Sequence, residues 1–279
     1  MDRHSITPAT RTFFYLIMMI FAVLAIYPIF WVIINSLKST QEYLTSSKLA
    51  FPQDWRWANY PHVWRVARMP ILFSNSVFYT FVTVTSVVAL SIMAGFGFAK
   101  IKMKTTPLFH GLFIIGILLT IQSILIPLFL MINAVGLFNT RLGILIPYIG
   151  LGLPMGVYLC TEYIKGIPSD IIESARIDGA GYLLIFAKII FPMCYPVAVT
   201  LAIVTFTATW NEFILVSILS STDLIRSLPV GISRFASPLM IDYGRQFTAI
   251  TIALIPILIF YMIFRKQITK GVAAGAVKG

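Results

Sequence analysis

Few side chains in this sequence can do chemistry, and their positions decide what kind. Its 279 residues include 10 Asp and Glu against 21 Lys and Arg. The carboxylate lying deepest in an apolar run is Glu212, in Trp210-Asn211-Glu212. An ionisable group at such depth marks a substrate, ion or proton path. One carboxylate makes a thin proton relay, and a hydrogen-bonded carboxylate beside a water-filled vestibule explains it better. Glu162 ends another apolar run. Cys160 and Cys194 have neither CxxC spacing nor a companion His, so they read as small apolar residues rather than a disulfide or metal pair. His4, His62 and His110 are scattered and offer a metal no cluster. No nucleophile–base pair lies in or beside the apolar runs, so a membrane enzyme or scaffold is the weakest reading.

Nucleotide chemistry fails on spacing. Gly271, Gly275 and Lys278 superficially resemble a phosphate loop, but that motif needs Lys directly after its last Gly, then Ser or Thr. The chain is therefore expected to bind no ATP and no cofactor itself. If it moves a solute against a gradient, the fuel is burned by another subunit docked on a polar surface.

One stretch offers that surface. Residues 167–196 carry Asp170, Glu173, Arg176, Asp178 and Lys188, with turn residues Pro168, Gly179, Gly181 and Pro192. Pro168 suits a first helical turn, with Ser169 or Asp170 capping its free N–H groups. Isoleucines and Ala175 alternate with charges for nearly three turns, and Gly179 and Gly181 end the helix. Such a helix can seat in a protein groove through its isoleucines and alanine, with charges at the rim. Lying on lipid headgroups is the bland alternative.

The remaining elements are those of a membrane. The chain is 58% hydrophobic and 11% charged, whereas soluble domains are about one quarter charged. At roughly 20 apolar residues per crossing, the length allows about six spans. They fall near 12–35, 71–99, 108–132 (bent near Pro127), 142–163, 196–219 and 247–264, in a single domain over 1–279. A cytoplasmic loop at 167–192 and a tail at 265–279 complete an all-α fold. No cleavable signal is expected, because the first apolar run is too long for a signal core. Lys and Arg, including Lys100, Lys102 and Lys104, are more numerous on the side holding both termini. Termini and polar stretch are therefore expected in the cytoplasm. Trp55, Trp57, Tyr60 and Trp64 place part of the first loop at the headgroup boundary. Gly95, Gly97 and Ala99 read as close helix packing.

Glu173-Ser174-Ala175, three residues, Gly179, nine residues, Ile189, one residue, Phe191-Pro192 resembles the EAA loop of permease subunits of binding-protein-dependent ABC importers. Ser174 and Phe191 replace the family's Ala and Leu. Asn75-Ser76, IPLFLMINAVGLFNT at 126–140, Trp210-Asn211-Glu212 and the tail GVAAGAVKG are similar to the carbohydrate, maltose-type branch. The resemblance implies a type I importer permease, multi-pass in a bacterial-type cytoplasmic (inner) membrane. Implied partners are a second related permease, an ATP-binding subunit dimer using ATP and Mg, an extracytoplasmic solute-binding protein and a sugar or oligosaccharide. Nucleic acid is not among them. It also implies an ATPase-docking set: Glu173, Ser174, Ala175, Arg176, Asp178 and Gly179, with Lys278 and Gly279 in the tail. A sugar path would use inward hydroxyls and amides. Ser76, Thr80 and Thr83 form a stripe on one helical face, joined by Gln122, Asn211 and Glu212. Hydroxyls that merely bond to their own backbone would look the same. A secondary transporter coupled through Glu212 is the rival reading.

Overall fold

The computed structural model describes residues 8–101, 104–233, 235 and 242–276. Every regular element among them is helical. In chain order these are α1 (Pro8–Ser36), α2 (Thr40–Thr45), α3 (Asn59–Val66), α4 (Met69–Lys100), α5 (Thr106–Ile117), α6 (Ile121–Ala134) and α7 (Arg141–Lys165). The polar stretch follows as α8 (Ser169–Ile177), α9 (Tyr182–Ile185), a π-helical turn (Phe186–Ile190) and α10 (Phe191–Met193). The chain closes with α11 (Tyr195–Trp210), α12 (Ile214–Leu219), α13 (Leu228–Ser233) and α14 (Tyr243–Ala276).

Four helices are long and apolar enough to cross a membrane alone: Thr10–Ser36, Met69–Lys100, Arg141–Lys165 and Tyr243–Gln267. Two bent pairs, Thr106–Ile117 with Ile121–Ala134 at 107° and Tyr182–Met193 with Tyr195–Trp210 at 71°, raise the number to six if each pair is one span. The third span does not bend at Pro127, which lies inside α6. It breaks at 118–120. Leu118 and Leu119 N–H turn to the carbonyls of Ile115 and Gly116, Thr120 is extended, and its hydroxyl meets that of Ser123 at 2.8 Å. The fifth span is likewise not one helix over 196–219. It begins before Pro196 and ends at Trp210, and α12 restarts after Phe213. The last helix runs through Ala276, so residues 265–276 of the tail continue α14.

Two compact units emerge. The first comprises Met1–Met69 and Ile232–Ile255. The Ser36 carbonyl, at the end of α1, accepts from Asn59 Nδ2 and Thr248 Oγ1, both at 2.9 Å. These satisfy a group that a helix end leaves unpaired. Trp31 packs edge-on against Tyr43 and Phe247, whose rings are tilted to one another. Lys38 is fully buried and donates to the Ser47 carbonyl. Burial lowers its pKa, opposed by the charge of Glu42. Trp55 and Trp57 stack on one another and stay exposed, as residues at a headgroup boundary do.

The second unit comprises Pro70–Gly231 and Pro256–Gly279. Within it α4 packs closely against α7. A Cβ on Gly95 would lie 2.9 Å from Cys160 Cβ, one on Gly152 2.8 Å from Val87 Cγ2, and one on Gly156 would strike Ser91. The pairs 87/152, 91/156 and 95/160 advance together, so α4 and α7 run in the same direction with small residues at the seam. The α5–α6 pair between them must therefore return the chain across the membrane once. Gly97 does not belong to this seam, because a Cβ there meets nothing within 4 Å.

Candidate functional site

Helix α8 is held from inside and open outside. Ile172 is 6% exposed, and it packs with Ile164, Ile167, Ile185 and Ile190, with Ala175 against the same cluster. The expectation that the isoleucines face a partner is thus corrected for Ile172, which the chain's own core claims, while Ala175 is only partly buried against it. Glu173, Ser174, Arg176, Asp178 and Gly179 are exposed, and so is Ile177 at 86%. Pro168 sits just outside the first turn, and no side chain caps it. Instead Lys100, at the end of α4, donates to the Ile167 carbonyl at 2.6 Å and lies 3.4 Å from Ser169 Oγ.

The other end closes as the glycine requires. Gly179 has φ +83°, a region that costs other L-residues about 1–2 kcal/mol. Its N–H bonds to Arg176 O, and Ala180 N–H reaches Ala175 O at 2.9 Å. Together these make a Schellman cap. Gly181 has an ordinary φ of −73°, so Gly179 alone carries the turn. The Arg176 guanidinium lies 5.3 Å over the Tyr182 ring, bracing the turn from outside. Lys278 and Gly279 lie outside the described residues.

The expected substrate-path residues do not converge. Ser76 Oγ accepts the Leu228 N–H at 2.8 Å and so starts α13. Asn75, beside it, donates to the carbonyls of Leu224 and Arg226, and the Tyr79 hydroxyl to that of Ile225. Thr80 and Thr83 are buried, with hydroxyls that find no partner among the described residues. Gln122 is exposed. Asn211 is exposed and turns back to the Thr207 carbonyl.

Glu212 does more than sequence position indicates. It lies at the break between α11 and α12, where Oε1 accepts from Leu215 N at 2.7 Å and Oε2 from Val216 N at 3.3 Å. Tyr148 on α7 donates its hydroxyl to Oε2 at 2.8 Å. The carboxylate thus caps α12. Beside it opens a cavity of about 250 Å³ whose lining includes Tyr148, Thr205, Thr209 and Glu212. Ser76, Thr80, Thr83, Gln122 and Asn211 do not line it. Tyr148, Thr205 and Thr209 escaped the sequence reading, because nothing local separates them from other tyrosines and threonines in apolar helices. Glu162, the second carboxylate considered, is exposed and paired with Lys165 at 2.7 Å.

Residues 87–274 match the family model described as "Binding-protein-dependent transport system inner membrane component". The chain is 31% identical over 261 residues to the diacetylchitobiose uptake system permease protein NgcG of Streptomyces coelicolor, covering 93% of this chain and 86% of that one. It is 31% identical over 257 residues to the trehalose transport system permease protein SugB of Mycobacterium tuberculosis, covering 91% and 93%. Its fold is similar to that of a chain in the crystal structure of a bacterial ABC transporter involved in the import of the acidic polysaccharide alginate. That likeness has a TM-score of 0.80 at 22% identity, covering 93% of this chain and 98% of the other. The matched family and the long apolar helices agree: this chain belongs to the binding-protein-dependent transport system inner membrane components, as a multi-pass transmembrane subunit of an ABC importer.

Proposed function

We propose that this subunit imports a sugar or oligosaccharide, with α8 as the point where an ATP-hydrolysing partner pushes. The observation that supports docking most is the exposed rim of α8: Glu173, Ser174, Arg176, Asp178 and Ile177 outward, on a helix fixed by Lys100 and Gly179. The relatives named for diacetylchitobiose and trehalose systems support the sugar class. In this reading α8 and both termini are cytoplasmic. A second permease and a solute-binding protein complete the path, and ATP and Mg belong to the partner ATPase. The chain has no catalytic activity alone. Lys278 and Gly279 would add a tail contact to the same ATPase. Coupling to protons through Glu212 is the poorer account, since that carboxylate is engaged in capping α12.

Uptake by the reconstituted complex tests the reading. Vesicles loaded with ATP should accumulate radiolabelled trehalose, diacetylchitobiose or maltose in the presence of the binding protein, and a protonophore should leave the rate unchanged. Uptake abolished by the protonophore with ATP present sinks the ABC mechanism. Glu173→Lys should reduce ATPase co-purification while leaving membrane insertion intact.

A further inference from the structure

Helix α1 is long for a single crossing. Its spanning stretch, Thr10–Ser36, has 27 residues, about 40 Å at 1.5 Å each, against a hydrocarbon core of about 30 Å. The Arg56 N–H bonds to the Leu37 carbonyl at 2.9 Å, which sets the exposed, stacked Trp55 and Trp57 just past the helix end. Tryptophans favour the headgroup boundary, so the last turns of α1 stand at that level. There the chain lays residues 47–51 back along the helix. Trp31 Nε1 and Asn35 Nδ2 donate to the Lys48 carbonyl at 3.0 and 3.3 Å, and Lys38 Nζ donates to the Ser47 carbonyl at 3.2 Å. Asn35 and Lys38 are fully buried. Two successive carbonyls are thus gripped by three donors spaced four and three residues apart, and a surface segment is held still.

What this grip fixes is a shallow groove. Tyr27, Phe30 and Trp31 line it from the helix, Leu49 and Phe51 from the segment, and Lys48 is the one charged residue of the lining. The Lys48 ammonium lies 5.4 Å over the Tyr43 ring, which restrains it, and no carboxylate pairs with it among the described residues. Little acid is at hand to do so. Residues 36–70 hold five Lys and Arg against Glu42 and Asp54, and Glu42 is spent on the Gln53 N–H at 2.6 Å. The free space is about 30 Å³, a tenth of the roughly 300 Å³ at which pockets for enclosed ligands begin. An incoming protein backbone would find the Ser47 and Lys48 carbonyls already taken. The lining suits a flexible apolar chain lying along it, with an anion above at the lysine.

We infer that this groove binds an anionic phospholipid, its phosphate on Lys48 and the start of one acyl chain against Phe30, Leu49 and Phe51. Both halves of such a molecule are present at this level of a bilayer, and only there. The spanning stretch of α1 is 6% buried within the chain, so the apolar side of the groove opens directly towards lipid. In the orientation proposed above, the leaflet is the outer one. The site is independent of which sugar the complex carries.

The test places the complete complex, with all its partner subunits, in phosphatidylcholine nanodiscs carrying a trace of photoreactive phosphatidylglycerol or of photoreactive phosphatidylcholine. Labelled segments are then mapped by mass spectrometry. The phosphatidylglycerol probe should mark the segment bearing Leu49 and Phe51 about fivefold more than the phosphatidylcholine probe, the worth of one basic residue at an anionic surface. Lys48→Gln should bring the two probes level, and Lys48→Arg should keep the preference. Arg56→Gln, outside the groove lining, should keep most of it. Equal labelling of the wild type by both probes overturns the site. So does a preference that survives Lys48→Gln, or one that Arg56→Gln abolishes as fully, since a diffuse positive field then accounts for it. A second measurement asks what lies in the groove. A benzophenone amino acid placed at Phe51 should crosslink to lipid. Crosslinking to the second permease or to the binding protein instead shows a protein seated there, and the lipid site is then wrong.

Discussion

Lys100 Nζ lies 2.6 Å from the carbonyl oxygen of Ile167, tying the end of α4 to the entrance of α8. A hydrogen bond from a charged donor is worth about 1.5–3 kcal/mol. Lys100→Met should let the complex assemble but cut uptake several-fold, with ATP consumed per sugar imported rising. Lys100→Arg, which keeps a donor, should recover part of the loss. Measured coupling ratios in proteoliposomes decide it, and an unchanged ratio in the methionine variant would remove Lys100 from force transfer.

Gly179 should tolerate substitution in proportion to backbone strain, because a Cβ there meets nothing within 4 Å. Gly179→Asn, which visits the left-handed region readily, should retain most transport. Gly179→Val should lose more. Gly179→Pro should lose nearly all of it, since proline adopts no positive φ and also removes the N–H that bonds to Arg176. Equal activity across the three would show that the cap does not set the position of α8.

Gly95 and Gly97 make a matched pair. A Cβ at Gly95 lies 2.9 Å from Cys160 Cβ and 3.0 Å from two backbone atoms of α7, which cannot step aside as a flexible side chain can. Gly95→Ala should destabilise by about 1–3 kcal/mol, seen as a lower melting temperature in detergent. Gly97→Ala should be neutral or slightly stabilising, because helix interiors favour alanine. The reverse order would refute the α4–α7 seam.

Asn75 is 1% exposed and holds the carbonyls of Leu224 and Arg226. Asn75→Leu strands both, at about 1–3 kcal/mol each. Local opening of residues 220–228 should rise about tenfold or more, at 1.4 kcal/mol per tenfold, and trypsin cutting after Arg226 should report it. An unaltered cleavage rate would mean that the loop is held elsewhere.

Helix α8 is legible in the sequence because its signals are local. Gly179 can be read from sequence as a helix terminator, and its φ of +83° is that role made visible. Which face of α8 looks outward was not legible, since Ile172 and Ile177 are the same residue type with opposite fates. In the sequence Pro127 is the conspicuous place for a bend in the third span, yet α6 runs through it and the chain turns at Thr120, whose signal is weaker in sequence. Glu212 stands out in the sequence, but its capping of α12 does not, because the apolar run continues across the break at 211–213. Tyr148, Thr205 and Thr209 come from two helices and meet only once the chain is packed.

Helix α4 is gripped at both extremities. Near one end Asn75, Ser76 and Tyr79 grasp residues 224–228, and at the other Lys100 grasps the threshold of α8. From Ser76 to Lys100 is about 36 Å at 1.5 Å per residue, and an α-helix scarcely compresses. Under the proposed coupling it would serve as a pushrod: a thrust arriving at Lys100 would be felt at Ser76 in the same stroke, with no relay of side chains between. Spin labels at the two ends should report one fixed separation through the whole transport cycle, and a separation that varies would mean that the rod bends.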